Sequence, residues 1–146
     1  AVISSIVANR GQLQYPRLAI NLIDKNNNQV WNNEIRSKQV IDVETAEDLS
    51  SLMQGTIKRG TARRTFRRYM SRRIASKLEI GGKTGSITGG FPFGKRDWFS
   101  SYAKPKANSK DKGISVCVMI INYKKWYVKS TKLAQEIYSK YYRGIK

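Results

Sequence analysis

The stretch Leu78-Glu-Ile-Gly-Gly-Lys-Thr-Gly-Ser-Ile-Thr88 decides how this chain folds. Its pattern is typical of a strand, yet three of five consecutive residues from 81 to 85 are glycine. Glycine weakens a strand interior unless another group must approach the backbone closely. The sequence therefore predicts a strand beside which a ligand lies.

The polar residues of this strand suit a carboxylate ligand. Lys83 supplies a compact positive charge, and the alternate spacing of Thr84 and Ser86 places both hydroxyls on one strand face. An extended peptide could add itself alongside such a strand through main-chain hydrogen bonds. The residues alone leave a second interpretation open, in which Lys83 is a solvated side chain between two glycine turns.

A phosphate-binding loop is excluded for the same stretch, although the triplet Gly-Lys-Thr occurs in that motif. The motif requires a glycine five positions before Gly82, where this chain has Lys77, and it runs into a helix. Here the residues after Thr84 are glycine-rich and strand-like.

Outward from this stretch, the C-terminal half reads as sheet followed by helix. Two more strand-like runs, 96–103 and 113–122, follow after short connections, which predicts an antiparallel sheet. Residues 129–143 are predicted to form an amphipathic helix packed on that sheet. Its buried side is predicted to hold Leu133, Ala134, Ile137, Tyr138 and Tyr141.

The N-terminal half reads as helices around a hairpin. Residues 1–8 predict a helix, and runs at 17–23 and 29–31 predict two strands joined by a turn. A second helix is expected at 43–59, with acidic residues at its start and basic residues at its end. The apolar stripe expected on that helix comprises Ala46, Leu49, Leu52, Met53 and Ile57.

The densest cationic segment, 63–73, is predicted to be either a helix with Phe66, Met70 and Ile74 as its apolar stripe or an irregular loop. No repeat or linker divides the chain. We predict one α+β piece covering residues 1–146.

The composition restricts the chemistry. Lysine and arginine number 28 against 10 acidic residues, a formal net charge of +18 that predicts an anionic partner such as nucleic acid, anionic lipid or an acidic cell-wall polymer. Histidine is absent, which removes the commonest general base and zinc ligand. The single cysteine, Cys117, allows no disulfide framework and is expected in the core. We expect neither a metal nor a cofactor.

Several landmarks together give the chain a resemblance to penicillin-binding proteins. Lys83-Thr-Gly-Ser86, followed on the next strand by Asp97-Trp-Phe99, resembles the active-site strand of that family. Ala8-Asn-Arg-Gly11 with Pro16 is similar to its Ala-Asn-x-Gly…Pro stretch, and the predicted second helix ends in Gly60-Thr-Ala62, similar to its Gly-Thr-Ala. The resemblance covers nearly the whole chain in the family's order.

This resemblance implies the fold of a transpeptidase domain and acyl transfer by an active-site serine that cross-links peptidoglycan stem peptides ending in D-Ala-D-Ala. It implies that Lys83 is catalytic, holding the substrate carboxylate and polarising the proton network. Thr84, Gly85 and Ser86 would bind substrate, and the Ser86 backbone N–H would be half of the oxyanion hole. Asp97-Trp-Phe99 would be a packing strand.

Two of the three family motifs are missing. Ser-x-Asn does not occur, and Ser-x-x-Lys occurs only at Ser101–Lys104 and Ser109–Lys112, after the Lys-Thr-Gly strand instead of before it. We interpret both as chance matches. We therefore expect the C-terminal part of a transpeptidase domain, truncated at its N-terminus and inactive alone.

The expected partners and location follow from the resemblance. The partners are a peptidoglycan stem peptide, β-lactams for the complete domain, and the missing upstream half or another copy of this chain. The parent protein is expected to be anchored in the membrane, and to act in the bacterial periplasm or on the outer face of the inner membrane.

Two other functions remain as alternatives. One is a basic nucleic-acid-binding module that uses the segment Arg63–Lys77, although no nucleic-acid-binding signature occurs and no nucleic acid is expected. The other is a non-catalytic relative that binds peptidoglycan peptides without the nucleophile.

Overall fold

The computed structural model describes residues 1–106, 112–123 and 125–144. Its centre is a three-stranded antiparallel sheet of β5 (Leu78–Gly89), β6 (Gly94–Pro105) and β7 (Ile114–Asn122), in the order β5-β6-β7. The chain is mixed α and β, and the predicted antiparallel sheet is confirmed. The strands extend by one or two residues beyond several of the predicted bounds.

The C-terminal helix α5 (Ser130–Tyr141) packs on one face of the sheet, as predicted. Its Tyr138 hydroxyl lies 2.7 Å from that of Ser101 on β6. The core between α5 and the sheet is built from apolar residues of the sheet, of α5 and of the cationic segment with the adjoining Ala62. Its most buried members are Ala62, Phe99, Ala103, Ala134, Tyr138 and Tyr142.

The predicted buried side of α5 is only partly right. Ala134 and Tyr138 are buried, whereas the three other predicted residues, Leu133, Ile137 and Tyr141, are exposed. The buried stripe is rotated toward Gln135, a polar residue that apolar periodicity does not select. Its burial is tolerated because the Gln135 amide donates hydrogen bonds to the Tyr69 carbonyl and to the Ser139 hydroxyl, at 3.1 and 2.6 Å.

Two helices cover part of the opposite sheet face, α1 (Val2–Ala8) and α2 (Val43–Lys58). Hydroxyl pairs at 2.6 Å tie each helix to β6: Ser4 to Ser100 from α1, and Ser50 to Tyr102 from α2. Among the described residues, no helix has the length and apolarity needed to cross a bilayer.

Two expectations on this side were wrong. Leu49 and Leu52 of α2 are exposed, although Ala46 is buried as predicted. Cys117 is also exposed, because its register opposite Ser100 places it on the sheet face away from α5, which the helices cover incompletely. The predicted start of α2 is confirmed, and the Asp42 side chain caps it by accepting the Thr45 N–H at 2.8 Å.

The cationic segment forms two short helices, α3 (Arg63–Tyr69) and α4 (Arg72–Lys77). The chain is extended at Met70, and the Ser71 hydroxyl then caps α4 by accepting the Ile74 N–H at 3.3 Å. Phe66 and Met70 are buried, as the helical stripe predicted.

The region between α1 and α2 contains two small sheets. β2 (Asn21–Ile23) and β3 (Gln29–Asn32) form the predicted hairpin. Around it, β1 (Gln12–Gln14) pairs antiparallel with β4 (Ser37–Gln39), a pairing that the local sequence pattern does not predict.

Candidate active site

Strand β5 changes from buried to open at Lys83. Four of the five residues Leu78–Gly82 are buried, whereas five of the six residues Lys83–Thr88 are exposed. β5 is the outer strand of its sheet, and within the described residues no further strand pairs with its other side. The predicted binding residues therefore lie on an exposed sheet edge, whose unpaired main-chain groups can pair with an added extended peptide.

The four predicted site residues are divided between the two faces of that edge. Thr84 and Ser86 lie on the face that carries α5, which confirms that the two hydroxyls share a face. Lys83 and Gly85 lie on the face that carries α1 and α2. A ligand along this edge can therefore meet the ammonium from one side and the hydroxyls from the other.

The Lys83 ammonium folds back over its own strand. Its Nζ donates a hydrogen bond to the Thr84 carbonyl oxygen at 2.9 Å, and the side chain is exposed. No carboxylate in the described ranges forms an ion pair with it. The site thus presents a cation whose charge the described protein does not neutralise.

A further residue, Thr61, belongs to this site and was not selected from the sequence. Its Oγ1 lies 2.8 Å from the Oγ1 of Thr84, across 23 residues of chain. The signal that could have identified it was its place in Gly60-Thr-Ala62, which contributed to the family resemblance without being given a role. This hydrogen bond anchors the segment before α3 to the candidate site.

The three glycines of the strand have two different explanations. A Cβ on Gly81 would lie 2.6 Å from the Tyr102 ring, and one on Gly82 would lie 2.5 Å from the Phe99 ring. Internal packing explains these two, so the expectation that a substrate requires them was wrong. Gly85 differs, because its Cβ would meet nothing closer than the Trp98 Cβ at 3.8 Å.

The adjacent strand supports the edge without adding reactive groups to it. Phe99 is fully buried in the core. Asp97, opposite Ser86, is buried, and its Oδ2 accepts the Ser130 N–H at 2.8 Å, which fixes the start of α5 against the sheet. These contacts agree with a packing strand.

The chance Ser-x-x-Lys match at Ser101 and Lys104 is not assembled as a catalytic pair. Ser101 is fully buried, donates to the Val116 carbonyl at 3.1 Å and contacts the Tyr138 hydroxyl. Burial raises the pKa of the Tyr138 phenol well above its usual value, so this hydroxyl stays protonated. Lys104 pairs with Glu79 at 3.2 Å. Ser109 lies outside the described residues.

This chain is similar to known penicillin-binding proteins and transpeptidase domains. The family described as the penicillin-binding protein transpeptidase domain matches residues 1–143. A relative, penicillin-binding protein 1A of Clostridium novyi (strain NT), is 35% identical over 83 residues, which is 57% of this chain and 9% of that protein.

Solved structures show the same fold. The imipenem acyl-enzyme of penicillin-binding protein A from M. tuberculosis is similar over 95% of this chain and 29% of its own, with a TM-score of 0.70 and 18% identity. The D,D-transpeptidase domain of a peptidoglycan glycosyltransferase from Eggerthella lenta is similar over 99% of this chain and 32% of its own, with a TM-score of 0.73 and 18% identity.

The chain therefore spans about a third or less of these relatives. The family match covers almost its whole length, and the fold agrees with it from the first helix to the last. With the Lys-Thr-Gly strand at an open sheet edge, these findings show that the chain belongs to the penicillin-binding protein transpeptidase family.

Proposed function

We propose that this chain is the substrate-gripping part of a D,D-transpeptidase that cross-links peptidoglycan. The observation that carries the proposal is the position of Lys83–Ser86 on the exposed edge of β5, with an ammonium on one side and two hydroxyls on the other. In this proposal the substrate of the edge is a stem peptide ending in D-Ala-D-Ala, and membership of the transpeptidase family supports that choice.

Each residue of the edge has a role in this proposal. The Lys83 ammonium exchanges its hydrogen bond to Thr84 for the terminal carboxylate of the peptide and polarises the proton network. The Thr84 and Ser86 hydroxyls donate to the same carboxylate, and Thr61 holds Thr84 in place. The Ser86 N–H contributes half of the oxyanion hole.

In this proposal, glycine is required at position 85 for binding of the peptide and not for folding of the chain. Its backbone is exposed and has space for a side chain toward the protein, so packing does not require glycine there. A side chain at this position would project from the sheet face of α1 and α2, beside the added peptide strand, and would crowd the side chains of that peptide. The proposal therefore assigns to Gly85 the close approach of substrate and strand.

The nucleophile of the proposed reaction is supplied by a part of the transpeptidase fold outside these residues. A serine hydroxyl there attacks the carbonyl of the D-Ala-D-Ala bond, terminal D-Ala leaves with the proton, and an amine of a second stem peptide displaces the serine. Neither of the two motifs that provide this serine and orient it occurs upstream of Lys83 in the chain. The chain alone is therefore proposed to be inactive.

The remainder of the domain, or a second copy of this chain, covers the sheet face that α1 and α2 leave open. Trp98, Met119 and Ile121 lie on that face and are each about two-fifths exposed. Apolar side chains aligned on one sheet face favour burial against another surface. Sedimentation of the isolated chain should therefore show self-association; a monomer at high concentration would contradict this step.

β-Lactams are the proposed inhibitors, and the complete protein is proposed to be membrane-anchored and to act outside the cytoplasm. In solved structures with this fold, imipenem, aztreonam and ampicillin are bound to penicillin-binding proteins of M. tuberculosis. A β-lactam carries an acidic group, carboxylate or sulfonate, and a reactive amide, which are the two features that the edge and the serine would recognise.

Acylation by a fluorescent penicillin tests the proposal. The isolated chain should acquire no covalent label, whereas a complete transpeptidase domain containing it should be labelled. In that domain Lys83→Ala and Gly85→Val should slow labelling at least about a hundredfold, while the exposed Thr88→Val should leave it unchanged. Failure of the complete domain to label would support a non-catalytic peptide-binding relative.

A further inference from the structure

A groove between α3 and α5 lies on the sheet face that carries Thr84, and it is separate from residues 83–86. It has a volume of about 560 Å³. Arg64 and Arg68 line one wall, and Lys129 and Lys132 line the other. We call these four residues and the space between them the arginine groove.

The positive charge of the arginine groove is largely uncompensated. Among the residues that the structure describes, Glu136 is the one carboxylate that lines it, and this group forms an ion pair with Lys132 at 3.0 Å. Arg64 and Arg68 have no ion pair within the described residues. Like charges one helical turn apart repel, so the protein maintains an arrangement that an external anion would stabilise.

The cationic surface continues beyond the groove. A second depression, of about 370 Å³, is lined by four arginines of α3, and it shares Arg64 and Arg68 with the arginine groove. Its other two members are Arg63 and Arg67. Because the two depressions share two arginines, they adjoin along one short helix, and we call them together the track; such an arrangement suits an extended anionic chain better than a single ion.

All four cations of α3 are arginine and not lysine. The planar guanidinium presents a rigid fork of donors that matches phosphate oxygens two at a time, whereas ammonium acts as a point charge. Repeated arginines along a track therefore favour repeated phosphates.

The aromatic residues of the groove argue against bases as the ligand. The Lys132 ammonium lies 3.9 Å from the centre of the Tyr69 ring, and the Arg68 guanidinium lies 5.4 Å from it. The Lys129 ammonium lies 5.7 Å from the centre of the Trp126 ring. Cations already occupy faces on which nucleic-acid bases would stack.

We propose that the arginine groove binds a linear, base-free polymer that carries repeated phosphate groups. The phosphates lie along the track between α3 and α5, in contact with guanidinium groups, and no covalent step is involved. This site adjoins the peptide edge without including it: none of residues 83–86 lines the groove, although Thr61, which holds Thr84, does.

Binding of end-labelled poly(glycerol phosphate) to the full chain, followed by fluorescence anisotropy, tests this site. Affinity should fall at least about tenfold between 50 and 200 mM salt, because each bound phosphate releases counterions. Arg64→Gln/Arg68→Gln should weaken binding at least about tenfold. The matched control, Arg36→Gln/Lys38→Gln, removes the same charge from an exposed strand region and should change affinity less than about twofold.

The outcomes that overturn the proposal are distinct. Equal losses in the two double variants would reduce the effect to net charge. Binding of oligothymidylate, or of phosphatidylglycerol vesicles, as tightly as the polymer would assign the surface to nucleic acid or to a membrane. If circular dichroism shows that the α3 variant is unfolded, Lys129→Gln/Lys132→Gln on the opposite wall is tested in its place. It should weaken polymer binding by the same factor.

Discussion

Gly82 and Gly85 lie three residues apart on one strand, and the surrounding structure treats them in opposite ways. A Cβ on Gly82 would enter the Phe99 ring at 2.5 Å, whereas a Cβ on Gly85 would rest at an ordinary 3.8 Å from Trp98. Gly82 is buried and Gly85 is exposed. The first half of this strand is buried, and internal packing requires its glycines. The second half is exposed, and no contact within the described residues requires Gly85 to be glycine.

The largest expected effect concerns the ring that makes Gly82 necessary. Phe99→Ala should lower the free energy of unfolding by about 3–5 kcal/mol, since Phe99 is fully buried and a cavity would remain. Urea denaturation measures this loss. Trp98→Ala, on the partly exposed opposite face, is the control and should cost less; a larger loss for Trp98 would contradict the assignment of the core to the α5 side.

The next effect tests the comparison itself. Gly82→Ala should destabilise the chain by about 2 kcal/mol through overpacking, while Gly85→Ala should change stability by less than about 0.5 kcal/mol. In the background Phe99→Leu, the cost of Gly82→Ala should shrink, with a coupling of about 1 kcal/mol. Equal costs at the two glycines would remove the distinction between the two halves.

A smaller effect is expected at Tyr102, the ring that faces Gly81. Tyr102→Phe removes the 2.6 Å hydrogen bond to Ser50 and should cost about 1 kcal/mol near neutral pH. Burial raises the pKa of the Tyr102 phenol, so the folded state retains a proton that the unfolded state loses. This contribution to stability is complete below about pH 10 and is lost as the pH rises through the folded-state value.

Urea denaturation at pH 8 and above pH 10 measures that dependence. The drop in stability with pH should be shallower in Tyr102→Phe than in the parent chain. Tyr127→Phe, at an exposed position, is the control and should leave the slope unchanged. An identical slope in all three proteins would show that the Tyr102 phenol does not contribute to alkaline unfolding.

The smallest effect is expected at Thr61. Thr61→Val should cost about 0.5 kcal/mol, because its hydrogen bond to Thr84 lies near the surface. Thermal denaturation gives the stability, and the NMR shift of the Thr84 amide reports the local change. Thr88→Val, exposed on the same strand, is the control and should leave the Thr84 shift unchanged.

The architecture followed from local patterns, and the meaning of the glycines did not. Strand runs with short connections specify an antiparallel sheet without knowledge of distant contacts, and all three strands were predicted. The clash that a Cβ on Gly82 would make depends instead on Phe99, 17 positions later. The two residues meet because of the cross-strand register, which cannot be read from a single sequence. The glycines at 81 and 82 were therefore predicted to make room for a ligand, whereas packing against the Tyr102 and Phe99 rings explains them.

The same limit applies to the helices and to the site. Apolar periodicity selected Leu133 and Ile137 for the core, but hydrogen-bonded Gln135 occupies it, because one acceptor for its amide, the Tyr69 carbonyl, comes from elsewhere in the fold. Within the site, Lys83, Thr84, Gly85 and Ser86 are contiguous and could be predicted together. Thr61 joins them through a contact across 23 residues, which local spacing does not reveal.

Titration of the ¹⁵N-labelled chain with a stem peptide ending in D-Ala-D-Ala tests the central claim most directly. In moderate salt, the amide shifts that move should be those of residues 83–86 and Thr61, and they should not move with the same peptide ending in D-alaninamide, which lacks the carboxylate. Equal responses to the two peptides, or shifts confined to the arginine groove, would contradict the account.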